Sequence, residues 1–129
     1  MTTAAVVDAS AIAAVIFREQ AGSGVAEVLS EIRRLIVPPL FRIELANVAR
    51  SKVHRNLIDW TEAEGALATV DEWPIGEAAV DWRSAWTTAR KSSLTVYDAC
   101  YLVVALEHDL PLITLDAALR SAAGRRSLL

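Results

Sequence analysis

Apolar and polar positions along the chain follow two periods, one short and unbroken, the other helical. Ala4-Ala5-Val6-Val7 is a compact apolar run, β-branched at its end, that stops at Asp8 and reads as a buried strand. Ser10 is placed to cap a short helix through Phe17, which Gly22-Ser23-Gly24 breaks. A second helix is expected from about Val25 to Arg34, with Val25, Val28, Leu29 and Ile32 on one face. Leu35-Ile36-Val37 is the next strand, closed by Pro38-Pro39. From Phe41 to Arg55 the apolar residues fall at 41, 45, 48, 49 and 53, which is helical spacing. Asp59 or Thr61 opens a further helix to about Asp71, and Thr61-Glu62-Ala63-Glu64 fits a capping box. Trp73-Pro74-Ile75 is a short extended piece, Glu77 to Ser92 reads as helix, and Thr95 to His108 as an apolar helix. Leu112-Ile113-Thr114 is a strand, a helix runs from Asp116 to Ala123, and residues 126–129 offer a last edge strand.

Strands alternating with helices predict an α/β domain with a central parallel sheet. The carboxyl ends of such strands gather along one edge, where open sheets bind ligands. Asp8 and Asp116 both follow apolar strands directly, so two separate strand ends finish in a carboxylate.

Composition narrows the setting. With 129 residues, 53% of them hydrophobic, the chain can bury one core, and it is read as a single domain over 1–129. No window approaches the ~18 unbroken apolar residues of a membrane span. The first residues lack a basic segment and a long apolar run, so a cytoplasmic protein is expected. Cys100 is the single cysteine, which excludes an internal disulfide; its apolar setting favours a structural thiol over a nucleophile. The net charge of −3 does not favour a polyanionic partner. Setting aside four acids in apolar contexts turns −3 into +1, so charge does not exclude one.

Those four are Asp8, Glu44, Asp98 and Asp116. The remaining acids fall among polar residues or at helix starts and read as solvated faces or caps. Asp8, Asp98 and Asp116 could each be a helix N-cap, but that does not cover Glu44, which falls inside a helix beside its apolar face. Several carboxylates in one apolar cleft repel one another and are costly to desolvate, and a divalent cation resolves both problems. Oxygen ligands without His or Cys select Mg²⁺ or Mn²⁺, ions that can activate water against a phosphodiester. No glycine-rich phosphate loop and no metal-spaced histidine pair occurs; His54 and His108 lie at helix ends. Trp82 and Trp86, one helical turn apart, read as core or interface anchors more readily than as base-stacking residues.

Asp8-Ala9-Ser10, Glu44 within a helix, Tyr97-Asp98-Ala99-Cys100-Tyr101-Leu102, and Leu112-Ile113-Thr114-Leu115-Asp116-Ala117-Ala118-Leu119 together resemble a PIN domain, and more narrowly the VapC-type toxins of toxin–antitoxin pairs. The likeness runs through nearly the whole chain in order and spacing. It implies a three-layer α/β/α domain and a Mg²⁺- or Mn²⁺-dependent endoribonuclease. Asp8, Glu44, Asp98 and Asp116 would be the catalytic and metal-binding acids, with Ser10 and Thr114 in support. It also implies an RNA substrate, a homodimer, and a small antitoxin that contacts the helical hairpin from about Phe41 to Asp71. The basic residues Arg42, Arg50, Lys52, Arg55, Arg90, Lys91, Arg125 and Arg126 are scattered, a weak complement for RNA.

Other readings separate cleanly. A haloacid-dehalogenase-type phosphatase wants a second acid where Ser10 stands. A receiver domain wants an acid where Ala9 stands and a lysine after the last strand, yet no lysine follows Lys91. A PIN-type processing nuclease without an antitoxin, or a non-enzymatic component of an antitoxin-bound complex, shares the same acids.

Overall fold

The computed structural model describes residues 2–129. Strand β1 (Thr2–Val7) leads through helices α1 (Ala9–Ile16) and α2 (Gly22–Leu29) to β2 (Ile32–Val37). Helices α3 (Phe41–His54) and α4 (Trp60–Thr69), then a 3₁₀ turn at Val70–Glu72, lead to β3 (Ile75–Glu77). Helices α5 (Trp82–Ser92) and α6 (Val96–Glu107) connect to β4 (Leu112–Ile113), and α7 (Ala117–Ala123) follows.

All strand pairs are parallel, in the order β3-β2-β1-β4. The chain steps outward from β1 to β2 to β3, then returns to the far side of β1. Right-handed crossovers running in opposite directions put their helices on opposite faces. The four helices α1–α4 therefore cover one face and the α5–α6 pair the other, the expected α/β/α architecture. The strand order reverses between β1 and β4, so their carboxyl ends diverge there and leave a crevice. Val6, Val7, Leu112 and Ile113 are fully buried beneath it.

Four segments differ from the expectations, each for a non-local reason. Ile32, Arg33 and Arg34 extend β2 rather than ending a helix, because β1 supplies their partners, with Thr2 opposite Ile32 and Ala4 opposite Arg34. Gly22 opens α2 instead of only breaking α1: the two helices meet so closely that a Cβ at Gly22 would strike the Ala14 carbonyl. Residues 75–77 form β3 and α5 starts only at Trp82, since Leu35, Ile36 and Val37 pair with Ile75, Gly76 and Glu77. The expected strand at 126–129 reduces to a 3₁₀ turn at Gly124–Arg126 and one bridge from Leu112 to Ser127.

No helix among the described residues is long and apolar enough to cross a membrane.

Candidate active site

The crevice between β1 and β4 opens into a cleft of about 520 Å³ whose walls include Asp8, Glu44, Asp98 and Asp116. Four acids from positions 8 to 116 thus share one cavity. Asp8 sits just past β1, and Asp116 just past β4. Glu44 lies in the first turn of α3 and Asp98 in the first turn of α6.

Asp8 is the most enclosed of the four, 4% exposed. Its Oδ1 accepts from the Ala11 amide at 3.1 Å, so of the two cap candidates in the sequence, Asp8 and Ser10, it is Asp8 that caps α1. Ser10 Oγ donates to the same oxygen at 2.7 Å, and Thr114 Oγ1 donates to Oδ2 at 2.6 Å. Each hydroxyl has one proton, and both protons go to Asp8. As acceptors the hydroxyls face the other way: Ser10 Oγ takes the Leu115 amide at 3.1 Å and Thr114 Oγ1 the Asp116 amide at 3.0 Å. The two side chains therefore lace the end of β1 to the loop after β4.

The other three acids are half-buried and differently held. Asp116 caps α7 through Oδ2, which accepts from the Leu119 amide at 2.8 Å. Asp98 is not a cap: Thr95 fills that position, its hydroxyl accepting the Asp98 amide at 3.1 Å, which leaves the Asp98 carboxylate turned to the cleft. Tyr101, one turn further along α6, donates its buried hydroxyl to Glu44 Oε1 at 2.6 Å. Sequence reasoning did not find this contact, because it depends on how two helices 57 residues apart are placed.

The electrostatics follow from the enclosure. Burial pushes the Asp8, Glu44 and Asp98 carboxyls above their ordinary range. Donors from Thr114, Ser10 and Ala11 pull Asp8 back in part, as Tyr101 does for Glu44. The charge of Asp98 raises both Asp8 and Glu44, and that of Asp116 raises Asp98. The basic side chains do not relieve this. The ion pairs among the described residues join Arg42 to Glu77, Lys52 to Glu19, and Arg126 to Asp109, and none of them includes one of the four acids. Among the described residues no three acid, imidazole or thiol groups are already drawn together into a metal cage. The donor set nonetheless fits a hard divalent cation: several carboxylate oxygens, mutual repulsion and, among the described residues, no ion pair to any of the four acids. Cys100 is half-buried with its thiol pushed up by burial and by Glu44, the opposite of a nucleophilic cysteine.

Trp82 and Trp86 are exposed, so neither is a core anchor, and neither lines the acidic cleft. Trp60 is exposed as well, whereas Trp73 packs against the core. His54 and His108 are exposed at helix ends.

The chain is similar to known proteins in sequence and in fold. The PIN domain family model matches residues 5–125. The chain is similar to Ribonuclease VapC3 of Pyrobaculum aerophilum, with 32% identity over 118 residues, 88% of this chain and 90% of the relative. It is also similar to the crystal structure of PAE2754 from Pyrobaculum aerophilum, with a TM-score of 0.76 over 98% of this chain and 88% of that one. At 23% identity the latter likeness speaks for the fold.

Proposed function

The chain belongs to the PIN-domain family, and from that premise we propose that it is a Mg²⁺- or Mn²⁺-dependent endoribonuclease, the toxin of a toxin–antitoxin pair. The observation that carries the reading is the convergence of Asp8, Glu44, Asp98 and Asp116 on one cleft at the sheet's switch point. The VapC-type ribonuclease to which most of the chain is similar supports the nuclease class.

In this reading Asp8, Asp98 and Asp116 hold the cation, and Glu44 is a further ligand or the base that positions the attacking water. When bound, such an ion neutralises the phosphodiester and lowers the pKa of water enough for attack near neutral pH. The chain's own groups prepare the rest. Ser10, Thr114 and the Ala11 amide fix the Asp8 carboxylate, so it does not reorganise as charge develops. Tyr101 occupies Glu44 Oε1, which leaves Oε2 to take a proton or a ligand. Water attacking in line on phosphorus would give up a proton to Glu44 or to solvent, and the bond to the 3′ oxygen would break, that oxygen leaving as a hydroxyl with a proton from solvent and the 5′-phosphate staying on the other fragment.

A second, more apolar cleft of about 360 Å³ lies between α3 and α4, lined by Leu45, Ala46, Leu67 and Ala68 with Arg42 and Glu64. It supports an antitoxin contact on the hairpin 41–71.

The test is incubation of the purified chain with single-stranded RNA and Mn²⁺. Fragments with 5′-phosphate ends, and their loss in EDTA, are expected; cutting that survives EDTA overturns the metal-dependent reading. Growth arrest on expression, relieved by a short protein encoded beside the chain, is the expected sign of a toxin. RNA cutting without arrest favours a processing nuclease.

A further inference from the structure

We infer that Tyr97 and Ile43 form the two sides of a nucleobase clamp at the mouth of the acidic cleft, with Asn47 beside it to hydrogen-bond the held base. The inference rests on the nuclease reading for its ligand, an unpaired base next to the scissile phosphate.

All three side chains line the same cleft as the four acids. Tyr97 is 66% exposed and Ile43 75% exposed, among the most exposed large apolar side chains described. Leaving that surface in water forfeits the free energy of burying it. Both residues are immediate chain neighbours of site acids: Tyr97 precedes Asp98 in the first turn of α6, and Ile43 precedes Glu44 in the first turn of α3. Rigid helix positions therefore hold the apolar groups beside the carboxylates. Asn47 follows Ile43 by four residues, one turn along the same helix, and its exposed amide offers both a donor and an acceptor.

The chain's two tyrosines divide sharply. Tyr101 is buried and its hydroxyl is committed to Glu44. Tyr97, one turn earlier on α6, is exposed at the cleft, and no hydrogen bond among the described residues engages its hydroxyl. Charge makes such a platform useful. The chain carries a net −3, and three of its basic residues are engaged in ion pairs, so attraction for phosphates is weak. Stacking on an aromatic ring needs no charge and accepts any base. It needs an unstacked base, which single-stranded RNA offers and a duplex does not.

The experiment uses single-stranded RNA ten-mers carrying 2-aminopurine at each position in turn. They are bound to the full chain with Ca²⁺, a hard cation that takes the same oxygen ligands. Stacking is expected to quench the fluorescence at one position. Tyr97→Ala is expected to abolish that quench and weaken binding roughly 5- to 100-fold, the equivalent of one stacked base. Tyr97→Phe is expected to keep both. With Mn²⁺, an abasic residue at that position should cost the wild-type chain at least the same factor in kcat/KM and should cost Tyr97→Ala less, since only Ile43 and Asn47 then still hold the base. Binding and quenching unchanged in Tyr97→Ala overturn the clamp, as does a loss equal on intact and abasic RNA. So does a variant that keeps every RNA readout but loses its hold on a protein partner. RNA that binds and quenches but is not cut with Mn²⁺ leaves the clamp standing and removes the nuclease reading. RNA that the wild-type chain neither binds nor cuts removes both.

Discussion

Thr114 Oγ1 donates to Asp8 Oδ2 at 2.6 Å, joining residues 106 positions apart, and accepts the Asp116 amide at 3.0 Å. One buried hydroxyl thus ties the first acid of the chain to the last. Thr114→Val keeps the shape and removes both bonds. It leaves a buried carboxylate oxygen and a backbone amide short of a partner, so a loss of about 2 kcal/mol is expected in urea unfolding. Activity should fall roughly 10- to 100-fold, as it does when groups that orient metal ligands are removed. Thr114→Ser should recover most of both. A Thr114→Val chain as stable as wild type would show that the lacing carries no weight.

Tyr101 and Glu44 make a second such pair. Tyr101→Phe leaves the ring packed in the core and takes away only the hydroxyl. Glu44 then loses the donor that fixes its Oε1. RNA cleavage should fall about tenfold or more through kcat, with KM little changed. Glu44→Gln should cost more, about 10²-fold or greater if Glu44 moves the proton. Equal rates for wild type and Tyr101→Phe would mean that Glu44 needs no positioning.

The clustered acids also predict how the metal-free chain responds to pH. Asp8, Glu44 and Asp98 hold their protons more tightly folded than unfolded, chiefly because of burial and then because of neighbouring carboxylate charge: Asp98 acting on Asp8, Asp98 and Asp8 on Glu44, and Asp116 on Asp98. Between the ordinary carboxylate value of about 4 and the raised folded values, the folded chain therefore binds more protons than the unfolded one. Stability falls as pH rises through that window and returns as pH drops. In EDTA the melting temperature should rise as pH is lowered through the raised folded range toward the ordinary carboxylate value of about 4. Asp98→Asn should flatten that slope and stabilise the metal-free chain at neutral pH. Mg²⁺ should lift the wild-type melting temperature at pH 7 but not that of Asp98→Asn. A slope that Asp98→Asn leaves untouched contradicts the account.

How much of this was legible in sequence depends on how local each feature is. Asp8 and Asp116 stand directly after apolar runs, and α3, α6 and α7 show their periods or caps plainly, so those elements and the strand-end acids could be read. The start of β2 could not. Ile32-Arg33-Arg34 continues a helical pattern, and only pairing with β1 makes it extended. The three residues of β3 are a strand only because β2 lies beside them. In the site, the residue types were visible but not their division of labour. Which of Asp8 and Ser10 caps α1, and that Asp98 leaves its cap to Thr95, follow from backbone placement. The Tyr101–Glu44 bond and the position of Tyr97 at the cleft mouth require two helices to be set against each other. The adjacency of Tyr97 to Asp98 was the one signal in the sequence that pointed to it.

The central claim is that four separate acids act as one cation site, and Mn²⁺ binding measured by calorimetry tests it most directly. Wild type is expected to bind Mn²⁺, with Asp8→Asn, Asp98→Asn and Asp116→Asn each weakening binding at least roughly tenfold. Glu64→Gln, outside the acidic cleft, should bind as wild type does. A wild-type chain that takes up no Mn²⁺, or three aspartate variants that bind it as tightly as Glu64→Gln, would contradict the account.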